Sequence, residues 1–240
     1  RSYSVTGVQT CALPISVLQK AGLQRAITPV SKIFRLDEST LFNSIASEEA
    51  LRKLTEYYDT DWCIGCGVDR ADPMKIVTHG ARTIVTLVAK GLPGSRSNPA
   101  IQYMPNAIHS YIYVVLGINH IIDNSLDGIK GIVNLGHATY DGLDMFCAER
   151  WGMFDIVPYL EENDIKFELI QPNIERQRMA FSEMYMIVST ERLKCPPIGI
   201  SGSKMDDIFK EEMMAFEQSS DDKVWYGSPE KSERYGIQDD

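Results

Sequence analysis

The sequence predicts an α/β protein built on a mixed sheet, and three observations carry that expectation. Two short apolar runs, Cys63-Ile64-Gly65-Cys66-Gly67-Val68 and Leu143-Asp144-Met145-Phe146-Cys147-Ala148, each lead into an acid followed by arginine: Asp69-Arg70 and Glu149-Arg150. Two further strand-like stretches, 83–89 and 111–122, follow the first run and are rich in Val, Ile, Leu and Tyr. Beyond them, helix-like and strand-like segments alternate.

In order along the chain, Ser47-Glu48-Glu49 reads as a capped helix start, with acids in the first turn. Tyr57, Tyr58 and Trp62 are placed to dock that helix on the sheet. Residues 90–99, rich in Gly, Pro and Ser, read as a loop carrying Lys90 and Arg96. Ser125 caps a helix, 153–162 form another, and Phe167-Glu168-Leu169-Ile170 is a short strand. A longer helix is expected over 174–192, with Met179, Phe181, Met184 and Met186 in core-like positions. No internal repeat is visible.

The two strand-end acids are the chemical signal. A carboxylate at the end of a buried strand is costly unless a cation or hydrogen bonds compensate it. The plain reading is a surface acid where a strand leaves the core. Two such strands side by side and parallel would set their ends about 5 Å apart. Asp69 and Glu149 could then share a divalent cation.

Gly67-Val68-Asp69-Arg70-Ala71-Asp72, Cys147-Ala148-Glu149-Arg150-Trp151-Gly152-Met153 and Tyr235-Gly236-Ile237-Gln238-Asp239-Asp240 resemble, in order and context, three acidic stations of a known family. That family is the C-terminal nuclease domain of the terminase large subunit of tailed bacteriophages, and the resemblance covers roughly 60–240. It implies a ribonuclease H-like mixed sheet flanked by helices, with the first and fourth strands parallel neighbours. It implies an endonuclease that cuts concatemeric viral DNA with two divalent ions about 3.5–4 Å apart. Asp69 would bridge both ions, Glu149 would bind one, and Asp239 or Asp240 would complete the site from a following helix. Hard oxygen donors favour Mg²⁺, with Mn²⁺ as a substitute. Asp72 would be an auxiliary acid. Arg70 and Arg150 would hold phosphate oxygens or neutralise the carboxylates, and both readings stay open; Lys90 and Arg96 are further candidate DNA contacts.

The same resemblance makes 16–60 a connection from an ATPase domain outside this chain, and 61–240 the nuclease domain without its last helix. No Gly-x-x-x-x-Gly-Lys-Ser/Thr phosphate loop occurs in the sequence. The implied partners are double-stranded viral DNA, that ATPase domain, a portal protein and the terminase small subunit. The implied setting is the cytoplasm of an infected bacterium. Residues 5–15, Val-Thr-Gly-Val-Gln-Thr-Cys-Ala-Leu-Pro-Ile, resemble the translation of a sequencing-library adapter, so 1–15 are expected to lie outside the fold. A signal peptide is the competing reading, but Gln9 and Pro14 interrupt the apolar run.

Composition narrows the function. The net charge of −9 disfavours a tight, autonomous DNA binder, because phosphate affinity comes from Lys and Arg. An enzyme presented with DNA by a partner domain needs only a few local cations. No run approaches the ~20 apolar residues of a membrane span. Five cysteines give no disulfide framework and suit a reducing compartment. Cys63 and Cys66 form a Cys-x-x-Cys with no second pair at zinc spacing, and are expected to pack as small core residues. His79, His109, His120 and His137 have no helical-spacing partner, and the acids after Ser203 (Asp206, Asp207, Glu211, Glu212) read as a solvated helix face. Three rivals remain: an ATP-binding protein of the actin and sugar-kinase type, a resolvase or transposase catalytic domain, and a non-catalytic docking module of the packaging motor. The first lacks its second glycine-rich phosphate loop.

Deleting residues 1–15 is expected to leave the melting temperature nearly unchanged. A drop of several degrees in a thermal melt would show that the segment belongs to the fold.

Overall fold

A computed structural model of the chain describes residues 45–79, 81–171 and 173–194, and short backbone stretches at 217–218 and 226–227. Ser47 opens helix α1 (Glu48–Tyr58), its hydroxyl accepting the Ala50 N–H at 3.2 Å. Leu54 and Ala50 face inward, and the Ala46 N–H donates to the Leu116 carbonyl. Trp62 donates its indole N–H to Thr55 Oγ1 at 3.0 Å and meets the Tyr58 ring edge-on at 6.1 Å. Tyr58 and Trp62 therefore dock α1 as expected, while Tyr57 is left exposed.

Six strands form the main sheet in the order β5-β4-β1-β2-β3-β6. β1 (Trp62–Asp69), β2 (Ile84–Gly91) and β3 (Ile112–His120) make an antiparallel meander. β4 (Met145–Glu149) lies parallel to β1 on its other side, and β5 (Phe167–Ile170) is parallel to β4. β6 (Leu193–Lys194) runs parallel to β3 at the far edge. The helices are α2 (Pro73–His79), α3 (Leu126–Thr139), α4 (Val157–Glu162) and α5 (Ile174–Ser189). This is the α/β, ribonuclease H-like arrangement, with the first and fourth strands parallel neighbours. A separate antiparallel pair joins β7 (Glu217–Gln218) to β8 (Tyr226–Gly227).

Side-chain alternation explains the layers. On one sheet face Ile64, Cys66 and Val68 of β1 join Val85, Leu87, Ala89, Phe146 and Ala148 in the main core. Leu54 of α1, Ile129 and Val133 of α3, and Leu160 of α4 close over them. On the other face, Ile84, Val115 and Ile118 pack against Ile187, Val188 and Leu193. β3 is covered on both faces, which is why its sequence is apolar almost throughout rather than alternating. A bulge between Leu87 and Val88 shifts the β2–β3 register, with Leu87 opposite Gly117 and Val88 opposite Val115.

Several expectations need correction. Lys90 belongs to β2, not to the following loop. The long helix stops at Ser189; Met179 and Met186 are exposed, and Phe181 and Met184 only half-buried. Its buried contacts come instead from Ile187 and Val188, because only the end of α5 reaches the β3–β6 edge. Cys66 is buried but Cys63 is exposed. Residues 1–44, Cys195, the acids 206–212 and the third acidic station at 235–240 lie outside the described residues.

Because Leu54 is fully enclosed in the same core as the sheet, Leu54→Ala is expected to cost about 2–5 kcal/mol in urea unfolding. A loss below about 1 kcal/mol would mean that α1 rests on the domain without belonging to its core.

Candidate functional site

The β1–β4 pairing is in register from Gly65↔Met145 to Val68↔Ala148. Continued by one residue, it sets Asp69 beside Glu149, at a strand spacing of about 4.8 Å. Both acids alternate with buried neighbours, Val68 and Ala148, so both side chains leave the same sheet face, and both are exposed. The chain turns one way after β1, to β2, and the other way after β4, to β5. Asp69 and Glu149 therefore sit at the carboxyl ends of two adjacent parallel strands from which the chain leaves in opposite directions.

Arginine 70 does not extend freely from this edge. Its guanidinium donates to the Gly152 carbonyl just beyond β4, and to the Asn124 carbonyl at 3.1 Å and Asn124 Oδ1 at 3.4 Å before α3. Asn124 also accepts from Thr83 Oγ1 and donates from Nδ2 to the Ala71 carbonyl at 3.2 Å, while Thr83 Oγ1 accepts the Ala71 N–H at 3.0 Å. Asn124 (φ 52) and Gly152 (φ 73) are both in the left-handed region, which Asn and Gly tolerate best. Arg70 thus ties the loops after β1, β3 and β4 together. Nothing in the local sequence marks Thr83, Asn124 or Gly152 for this network; Asn124-Ser125 reads only as a helix start.

The other candidates are dispersed. Arg150 is exposed, with its guanidinium 5.3 Å from the Phe154 ring, and its N–H closes the β4–β5 ladder on the Ile170 carbonyl. Asp72 accepts the Met74 N–H at 2.8 Å and so caps α2. Lys90 pairs in register with Cys63 at the opposite end of β1, about 20 Å from Asp69, and its ammonium lies 4.5 Å from the Tyr111 ring centroid. Arg96 follows β2 at that same end and lies 3.8 Å from Asp61. The structure thus brings together Asp69, Glu149, Arg70 and Arg150, and leaves Lys90 and Arg96 remote. Asp239 and Asp240 lie outside the described residues.

Cys63 and Cys66 cannot act as a chelating pair. Three residues apart on a strand, they point to opposite faces. Burial, then the Asp144 carboxylate, raises the Cys63 thiol; burial, then Cys147, pushes Cys66 up to about 12. Both therefore remain neutral thiols at physiological pH, whereas the thiolate is the ligand and nucleophile.

Two carboxylates on adjacent strand ends supply hard oxygen donors, a chemistry that fits a hard divalent cation. Among the described residues, no group of three or more His, Cys, Asp or Glu is placed to hold a metal. At this sheet edge the described candidate ligands are the two carboxylates of Asp69 and Glu149.

No protein-family model matches this chain, and no curated protein matches it. Solved structures do. The large terminase nuclease of thermophilic phage G20c with bound magnesium aligns with a TM-score of 0.45 and 11% identity, over 71% of this chain and 73% of that one. The same nuclease with bound cobalt aligns at 0.44 and 11%, over 75% and 79%. The Thermus phage P74-26 large terminase nuclease domain aligns at 0.43 and 10%, over 71% and 70%. The chain resembles phage large terminase nucleases in structure. No described helix is long and apolar enough to cross a membrane.

The raised Cys66 thiol has a measurable consequence. A group kept neutral in the fold contributes stability that is fully present below its unfolded value, near 9.0, and lost as pH rises toward about 12. Cys66→Ala is therefore expected to flatten the alkaline limb of the stability–pH curve over that window, beyond any constant offset from lost packing. An unchanged slope would show that Cys66 ionises as readily folded as unfolded.

Proposed function

We propose that this chain is a divalent-metal-dependent DNA endonuclease, the nuclease domain of a viral packaging terminase large subunit. One observation carries the reading: two adjacent, parallel, in-register strands end in carboxylates, Asp69 and Glu149, that leave the same sheet face. Asp69 and Glu149 would hold the metal, with Asp239 or Asp240 as the third donor. Mg²⁺, with Mn²⁺ as substitute, suits such an oxygen-only set. When bound, the metal supplies an activated water and charge stabilisation for phosphodiester hydrolysis.

The chain's own residues bind and orient. Carboxylates fixed on two strands of a rigid sheet need little reorganisation to receive a cation, an advantage over ligands on loops. Arg150, exposed beside Glu149, is the cation best placed to meet a phosphate oxygen of a strand lying across this edge. The acidic net charge is consistent with DNA delivered by an ATPase domain rather than captured by this domain alone. Concatemeric viral DNA as substrate, two ions, portal and small-subunit partners and the infected host's cytoplasm complete the proposal.

Asp69→Asn preserves shape and removes one of the two negative donors. Calorimetric titration of the full chain with Mn²⁺ is expected to show an affinity loss of about tenfold or more, with an unchanged circular dichroism spectrum and slower plasmid nicking. If the variant binds Mn²⁺ and nicks plasmid as the parent does, Asp69 is not a ligand. A parent that binds no Mn²⁺ would favour a docking module instead.

A further inference from the structure

The ladders hold the backbone of Asp69 opposite Ile84 and of Glu149 opposite Ile170, and leave the turns that follow each acid to other contacts. Glu149 is the last residue of β4, and chain past a strand end is held only by what it meets next. Here the next residues, Arg150 to Gly152, form a turn whose Gly152 has φ 73. Arg70, directly after Asp69, reaches across to the carbonyl of that turn. The two groups are neighbours: a Cβ built on Gly152 would lie in ordinary contact, 3.6 Å from Arg70 Nη1 and 3.8 Å from its Cδ. The other side of the same guanidinium holds Asn124, whose side chain is in turn held by Thr83 and Ala71.

We propose that Arg70 is a positioning residue that fixes Asp69 relative to Glu149 by bolting the turn after β4, and the turn before α3, to the end of β1. The claim that this positioning serves metal binding rests on the reading of Asp69 and Glu149 as ligands. Three features support the role. The acceptors are a side-chain amide oxygen and two backbone carbonyls, groups that a cation bound for DNA would leave to water. They lie on two separate loops, so one planar fork spans a gap that a single ammonium cannot. And Asn124 is satisfied on both its oxygen and its nitrogen, so the network has a fixed orientation rather than a choice of partners.

The role differs from a phosphate contact or a neutralising charge in one respect: it requires the shape of the guanidinium, not its charge. The test compares parent, Arg70→Gln and Arg70→Lys full-length chains by amide hydrogen exchange and Mn²⁺ calorimetry. Both variants are expected to exchange about tenfold faster in peptides covering 121–125 and 150–154, while core-strand peptides are unchanged. Both are expected to bind Mn²⁺ about tenfold or more weakly, the size of effect seen when a ligand loses its outer support. Arg70→Lys matching the parent in exchange and affinity would overturn the proposal, because charge alone would then suffice. Unchanged loop exchange in Arg70→Gln would also overturn it. If Arg70→Gln fails to fold, Arg70→Lys, which keeps the charge and most of the length, decides the matter alone. A parent that binds no Mn²⁺ would remove the metal reading, and the exchange comparison would still decide whether Arg70 bolts the loops.

Discussion

Parallel pairing of β1 with β4 in one register is the constraint on which the rest of this structure depends. Side chains alternate along a strand, so a slip of one residue would turn Ile64, Cys66 and Val68 out of the core and Asp69 into it. Each buried aliphatic or aromatic side chain contributes about 1.5–3 kcal/mol, and burying an unpaired carboxylate costs several kcal/mol. Both penalties act against the slip. The register that buries Val68 and Ala148 is therefore the register that presents Asp69 and Glu149 together.

Around that pairing the structure divides its labour between the two sheet faces and the two sheet ends. One face is sealed by α1, α3 and α4. The other is covered by α5 over β2, β3 and β6, while Cys63 and Met145 on β1 and β4 remain exposed. At one end lie the carboxylates and the Arg70 network. At the other lie Lys90, Arg96 and the turn to α1, where Gly94 and Arg96 donate to the Tyr58 and Asp59 carbonyls. That end is built for joining α1 to the sheet. It lies too far from Asp69 for a cation there to meet a phosphate held at the carboxylates.

Arginine after each strand-end acid is a repeated sequence feature with two different structural outcomes. Arg70 turns back and spends its donors on the turns of two other loops. Arg150 stays exposed against Phe154. Guanidinium groups suit both tasks, as a planar fork for carbonyls and as a flat cation over a ring. Which task each performs depends on what stands opposite. Arg70 faces the Asn124 and Gly152 turns, both in left-handed backbone that brings their carbonyls round; Arg150 has the aromatic ring that follows it.

The sequence by itself determined strands β1 to β5, though not β6 or the short helix α2, together with the caps at Ser47 and Ser125 and the two acids that end β1 and β4. These depend on local periodicity, turn chemistry and side chains that hydrogen-bond within three residues. Tertiary structure alone decided which of Cys63 and Cys66 is covered, the membership of Lys90 in β2, and the exposure of Met179 and Met186. Those depend on which neighbour covers which face, and β1 lies beside β4 only because a chain segment of some 75 residues returns there. The Arg70 network is the clearest case. Its members at 70, 71, 83, 124 and 152 come from four separate stretches of chain, and no local pattern links an arginine to a carbonyl brought near it by the closing of a sheet.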